Sequence, residues 1–356
     1  MSVALLAPYK AIVAKLSSQF AKAKASGDLN SYESTVNEVE QDGLRYEIRV
    51  CPALKEKRAA KSGSSPSPSD DSEPLKRQKP ADPFEGPYDN DLFLGKVGQE
   101  EGGEKMVALL NKFSVVDQHF LLVTEEFQSQ SSPLHPPHLL HAYLMLLALQ
   151  QTGQQWICIY NAGGPVSGAS QLRRHLQFVP NSEEPPVDEW TASAQIETED
   201  EPFYLSSLPH AHSIMRLPSQ LRSRSSTADS ITSTLMLSHI KLLDATHQVI
   251  QKHLLPPYLD PESASLAPRP TEKPTMAYNL ILTLSHFHAI PRSKEKADLV
   301  DPGMSLNAMA FAGMVLCESE EQMEAIKGLE GGVKSLLRSV GFERLEENKV
   351  EEMAMA

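Results

Sequence analysis

Arg173-Arg174-His175-Leu176-Gln177 sets one imidazole between a fixed cation and an amide, each two residues away, and no other stretch of the chain is better suited to chemistry. Leu172, Leu176 and Phe178 alternate with Arg173, His175 and Gln177, so an extended backbone places the three polar side chains on one face. Just upstream, Gly163, Gly164 and Gly168 stand among Ser167, Ala169, Ser170 and Gln171, small residues that let backbone N–H groups approach an anion. A neutral imidazole is a good nucleophile near neutral pH, and its attack on an α-phosphorus would leave a nucleotidyl-histidine for a second nucleophile to resolve. Gln177 can hydrogen-bond charge developing on phosphoryl oxygens but cannot hand a proton to a departing group, so the pair suits leaving groups that need none. Strand geometry alone is equally satisfied by a histidine lodged among apolar neighbours.

Ser167-Gly168-Ala169-Ser170-Gln171 followed by His175-Leu176-Gln177 resembles the H-x-H-x-Q signature of the fungal diadenosine tetraphosphate phosphorylases, or ATP adenylyltransferases. These belong to the galactose-1-phosphate uridylyltransferase branch of the histidine-triad superfamily. The likeness extends through Pro83-Phe84, Tyr88 to Leu92, Leu110-Asn111-Lys112-Phe113, His119 to Thr124, Tyr278-Asn279-Leu280, Ile290-Pro291-Arg292 and Asn307 to Met314, and so covers most of the chain. It implies an α+β fold in which two histidine-triad-like halves share an antiparallel sheet flanked by helices. It also implies cleavage of diadenosine tetraphosphate by inorganic phosphate to ADP and ATP, through an adenylyl group carried on His175. Gln177 assists, and Lys57 (or Lys55), Asn111, Lys112, Asn161, Ser167, Gly168, Ala169, Ser170, Gln171, Arg173, Asn307, Met309 and Met314 fall at substrate-binding positions. A divalent cation such as magnesium would arrive on the substrate's oxygens and not in a protein cage.

Two departures from the family pattern lie inside the site. Arg173 stands where the family has its first histidine, and the loop at Asn161-Ala162-Gly163-Gly164-Pro165 carries one extra residue. Arg173 could keep His175 neutral and clamp a phosphate, or it could block the site. The alternative to an enzyme is therefore a nucleotide-binding protein of the same fold with impaired catalysis. Hydrolysis in place of phosphorolysis is disfavoured by Gln177.

The elements that must position these residues can be traced along the chain. Leu5, Ile12, Val13, Leu16 and Phe20 recur at helical spacing, and 46–50 alternates as a strand; together they give 1–56 as the start of the first half. Residues 57–82 are dense in Ser, Pro and charge and read as a disordered linker. Segments 106–110 and 120–123 form an antiparallel pair, 137–151 a helix, and 83–200 the first half with its nucleophile. The acidic, proline-containing stretch 180–201 reads as the boundary between halves. The second half, 201–345, carries a helix over 232–254, His286 and His288 on one strand face, and a helix over 333–342; 346–356 is a tail. His135, His138 and His141 invite a metal reading, but helix histidines with no carboxylate or cysteine beside them are structural.

A net charge of −13 over 356 residues argues against a nucleic-acid or anionic-membrane binder. Three scattered cysteines without a C-x-x-C pair support neither a disulfide framework nor a cysteine-rich zinc site. No apolar run reaches the roughly 18 residues of a membrane span. Cytoplasmic location is expected, with the basic pairs around 57–58 and 76–79 leaving nuclear import open, and a monomer or homodimer is expected.

Overall fold

The backbone of the site is an eight-stranded antiparallel sheet whose strands lie in the order 213–216, 286–291, 278–282, 155–162, 175–181, 120–124, 106–110 and 93–97. In this computed structural model the described residues are 3–56, 82–88, 91–98, 104–181, 183–192, 194, 196, 198–254 and 276–344. Lys57, all of the linker read over 57–82 except Asp82, and the tail lie outside them. The strands are β1 (Thr35–Gln41), β2 (Leu44–Val50), β3 (Phe93–Val97), β4 (Met106–Leu110), β5 (Phe120–Thr124), β6 (Gln155–Ala162), β7 (His175–Asn181), β8 (Ser213–Arg216), β9 (Tyr278–Leu282), β10 (His286–Pro291) and β11 (Met314–Cys317). The helices used below are α1 (Val3–Ser26), α2 (Pro136–Leu149), α3 (Pro186–Ala192), α4 (Ala228–Leu254) and α5 (Ala308–Phe311).

Both halves contribute to the one sheet, meeting where β6 pairs with β9. The strand over 46–50 joins a separate three-stranded sheet, parallel to β11 and antiparallel to β1. Alternation decides the layers. Leu122, Leu176, Phe178, Cys158, Leu280 and Phe287 face one core with α1, α2 and α4, while Ile157, Ile159, Val179, Ile281 and Ile290 face another with α3, α5 and the three-stranded sheet. His175 and Gln177, out of phase with Leu176 and Phe178, belong to the second face. Helix α2 is apolar around its whole circumference because it lies between α1, α4 and the sheet.

The histidines of α2 serve packing. His141 donates through Nε2 to the Glu104 carbonyl at 3.2 Å, so its Nδ1 accepts the Tyr9 hydroxyl at 2.6 Å and docks α1 on α2. Tyr9→Phe leaves that buried acceptor unpaired and is expected to cost about 1–2 kcal/mol, read as a lower urea midpoint with unchanged slope. A carboxylate does approach His138, contrary to expectation: Glu104 Oε1 is 2.6 Å from Nε2, and Glu104, His135 and His138 draw together. His138 Nδ1 accepts the His135 amide at 2.9 Å, which leaves the proton on Nε2 facing Glu104. That tautomer offers a metal no lone pair, and the Arg174 guanidinium, 3.4 Å away, adds a cation.

The stretch over 180–201 is more than a connection. Inside it α3 buries Val187 and Trp190, whose indole N–H donates to the Arg45 carbonyl at 3.0 Å and whose ring lies 5.0 Å from Tyr46. Among the described residues no helix is long and apolar enough to cross a membrane.

Candidate active site

His175 opens β7, where β6 and β7 part around their carboxyl and amino ends. The last paired residues are Ile159 and Gln177; in the same register Asn161 faces His175, but their backbones do not meet. The side chain of Gln130 fills the gap, donating through Nε2 to the Asn161 carbonyl at 2.9 Å and accepting the His175 amide on Oε1 at 2.8 Å. Gln130 is thus a structural clamp on the site, absent from the sequence expectations.

The imidazole of His175 is 4 % exposed, and its Nδ1–H donates to the Arg173 carbonyl at 2.8 Å. The tautomer is therefore fixed, with the lone pair on Nε2. Burial pulls the ring below its ordinary value, against smaller raising effects of that hydrogen bond and of Asp82, so the neutral form prevails at pH 7. The cause differs from the one expected: Arg173 does not hold the ring neutral by its charge. Its guanidinium pairs with Asp82 through Nε at 2.6 Å and donates to the carbonyls of Thr124 and Glu125 at 3.2 and 2.6 Å. Arg173 thereby anchors the segment carrying Phe84, whose ring centroid lies 5.3 Å from that of His175. Phe84 covers the nucleophile, and Asp82, legible beforehand only as the last residue of a polar linker, holds that cover through Arg173.

Gln177, two residues on, lines a cavity of about 450 Å³ together with Asn111, His119, Asn307, Met309 and Met314. That volume suits a nucleoside. Lys112, next to Asn111, is exposed on the turn outside this lining. Asn111 Oδ1 accepts the Phe113 amide at 3.1 Å, so its Nδ2 is the donor to His119 Nδ1 at 3.0 Å. The proton of His119 must then be on Nε2, a buried donor directed at Gln177. Burial lowers His119 to about 4, with the Gln177 contact opposing and His175 adding to the shift. His119 entered the sequence reading only within a matching stretch; its role depends on the side-chain geometry of a turn.

The glycine loop is built against the second half. Its 3-10 turn, Gly164–Ser167, ends at Gly168, whose φ is +80°. The Gly168 and Ala169 amides bond within the turn, to Pro165 and Gly164 at 2.8 and 3.1 Å, so these two N–H groups are not free for an anion. Among the described residues the Ser170 and Gln171 amides meet no acceptor, and they lead directly toward His175. Ser167 is fully buried, its hydroxyl turned back on Gly164 and its carbonyl taking Asn279 and Arg292. A Cβ on Gly168 would lie 2.5 Å from the Leu306 oxygen and 2.8 Å from Asn307 Cβ, whereas one on Gly164 meets open space. Gly168→Ala is expected to cost about 3 kcal/mol and to weaken nucleotide binding by displacing 306–307; Gly164→Ala, strained only by its φ, should cost about 1 kcal/mol. Urea midpoints and ATP titrations of the two variants check the difference.

Asn161 and Asn279 meet across β6 and β9, both buried, with Asn279 Nδ2 donating to Asn161 Oδ1 at 2.7 Å. Arg292 stands behind them. Neutral amides and imidazoles thus surround His175, and Asp82 is already paired with Arg173. This donor set fits a divalent cation carried on substrate oxygens, because it offers no carboxylate cage at the nucleophile.

Comparison with known proteins gives the family. The model of the Ap4A phosphorylase N-terminal domain matches residues 4–193, and that of the ATP adenylyltransferase C-terminal domain matches residues 206–343. The chain belongs to the Ap4A phosphorylase family. It is 28 % identical over 325 residues to diadenosine tetraphosphate phosphorylase 2 of Saccharomyces cerevisiae, covering 87 % of this chain and 88 % of that one. It is 26 % identical over 344 residues to Protein APA1 of the same yeast, covering 93 % and 94 %. Among solved structures, yeast Ap4A phosphorylase Apa2 in complex with AMP superposes with a TM-score of 0.71 at 25 % identity, over 94 % of this chain and 98 % of that one.

Proposed function

We propose that the protein is a nucleotidyltransferase that cleaves diadenosine tetraphosphate with inorganic phosphate. The observation that carries this is the His175 tautomer: Nδ1–H is spent on the Arg173 carbonyl, and the free Nε2 shares a sheet face with Gln177 at the edge of a nucleoside-sized cavity. Nε2 attacks the α-phosphorus, the bond to the bridging oxygen breaks, and ATP leaves with that oxygen and its electron pair. An oxygen of inorganic phosphate then attacks the same phosphorus from the opposite side, giving ADP and restoring neutral His175. Gln177 and the Nε2–H of His119 beside it stabilise charge on the phosphoryl oxygens. The leaving group, ATP, and the acceptor, inorganic phosphate, are both phosphates that react without being given a proton, so an amide at 177 suffices. A divalent cation such as magnesium, held by the substrate, would offset phosphate charge. Membership of the family supports the reading, as do the nucleotide complexes of the yeast structures. We further propose a cytoplasmic location, to which the three free, buried cysteines are suited.

A catalytically silent nucleotide binder is favoured by one observation, the close cover of Phe84 over a nearly inaccessible His175. Incubation with α-labelled ATP and magnesium, followed by intact mass under mildly alkaline denaturing conditions that spare a phosphoramidate, separates the two. An adenylyl adduct on the protein, chased by phosphate into ADP, is the expected result. No adduct while ATP still binds would leave only the binder.

A further inference from the structure

Arg292 is 2 % exposed, and every one of its hydrogen bonds goes to a carbonyl oxygen. Its Nη1 donates to Asn279 Oδ1 at 2.7 Å, to the Leu306 carbonyl at 2.8 Å and to the Ser167 carbonyl at 3.3 Å. A guanidinium has no acceptor, so this contact fixes the Asn279 amide with its oxygen toward Arg292 and its nitrogen away. Asn279 Nδ2 then donates to Asn161 Oδ1 at 2.7 Å and to the Ser167 carbonyl at 2.8 Å. Asn161 Oδ1 also accepts the Ala308 amide at 3.0 Å. With two donors on its oxygen, Asn161 must turn Nδ2 the other way. That nitrogen is buried, on a side chain 1 % exposed, and has no partner. Asn161 continues the register in which Ile159 faces Gln177, which sets it opposite His175 on the same sheet face.

We propose that Asn279, oriented by the buried Arg292, is a positioning residue that locks the Asn161 amide with its N–H side toward the substrate phosphates beside His175. An amide flip at Asn161 would aim an oxygen at the phosphates and repel them; the donor chain from Arg292 forbids it. The same chain carries the polarisation of a buried cation to a neutral donor at the site. Arg292 also ties the glycine loop, through Ser167, to the nucleoside wall at Leu306, so the loop and the cavity share one anchor.

The inference rests on the transferase reading of the site, but its test reads binding and does not need turnover. Asn279→Asp keeps an acceptor for Arg292, now as an ion pair, but has no N–H for Asn161; the Asn161 amide must turn its nitrogen to the new carboxylate. ATP affinity is expected to fall about 10- to 100-fold, while adenosine, which lacks phosphates, changes less than about twofold. Asn161→Leu should show the same split, and the double variant should bind ATP no more weakly than Asn161→Leu alone. Equal losses for ATP and adenosine, or additive losses in the double variant, would mean a merely structural role and overturn the proposal, as would undiminished ATP binding by folded Asn279→Asp. Should that variant not fold, the wild-type Asn161 side-chain NH2 resonances give the answer: they should shift on addition of ATP and not of adenosine, and indifference to ATP refutes the relay. Absence of an adenylyl adduct on wild-type protein would sink the transferase reading alone. Wild type that holds ATP no tighter than adenosine would sink both.

Discussion

Replacing His175 by alanine is expected to abolish the adenylyl adduct and to lower turnover of diadenosine tetraphosphate by at least about 10⁴-fold, with ATP affinity within a few-fold of wild type. The size follows from the site's economy. Other groups close to the phosphorus are amides and a second imidazole, His119, whose proton sits on Nε2 because Asn111 occupies Nδ1. His119 therefore faces the substrate with a donor and cannot take over as nucleophile without changing tautomer. Affinity is spared because the nucleoside cavity is lined by Asn307, Met309 and Met314, not by His175. The variant should also fold, since the backbone bonds of residue 175 to Gln130 and to β5 persist. Steady-state rates, adduct mass and ATP titration check the three parts. Residual turnover above about 1 % with no adduct would point to direct attack of phosphate on the substrate.

The same residues show what a chain can reveal before it is folded. The strand, loop and strand around the nucleophile were legible because apolar residues alternate with polar ones at period two, which fixes a face without knowledge of neighbours. His175 and Gln177 are out of phase with Leu176 and Phe178 in the sequence and in the sheet alike. Gln130 was invisible, since it lies in an irregular segment 45 residues upstream and acts only where β6 and β7 part. Asn279 and Arg292 were seen as matching stretches, but their role requires that β9 lie beside β6, a long-range pairing no local pattern encodes. At 180–201 acidic residues and prolines mask the apolar pair Val187 and Trp190 that docks α3. Glu104 likewise joins His138 only through the packing of α2 on the start of β4. Arg173 was the hardest case: its charge suggested a phosphate clamp, whereas its carboxylate partner, Asp82, sits 91 residues away in sequence.

Acidification is expected to unfold the protein well above the pH at which carboxylates titrate. An unfolded histidine titrates near 6.5, but burial lowers His119, His212 and His239 to about 4 in the folded chain. Each is committed to the neutral form by its surroundings. His212 donates through Nδ1 to the His210 carbonyl at 2.8 Å and accepts the Leu205 amide on Nε2 at 2.9 Å, so a second proton would displace that amide. His239 is fully buried, stacks 5.7 Å from Phe287 and has no partner for either nitrogen. Between about pH 6.5 and 4 the unfolded chain takes up protons that the folded chain refuses. The stability these groups give is therefore fully present above 6.5 and drains away as pH falls toward 4, by about 3 kcal/mol for each. Two or three such groups rival the whole stability of a typical domain, about 5–15 kcal/mol. Urea midpoints taken from pH 7.5 down to 4.5 should fall steeply, and His239→Phe, which keeps the stack and removes the titration, should flatten the slope by about one proton. A midpoint unchanged between pH 7 and 5 would show that the folded chain takes up protons on these rings as readily as the unfolded one.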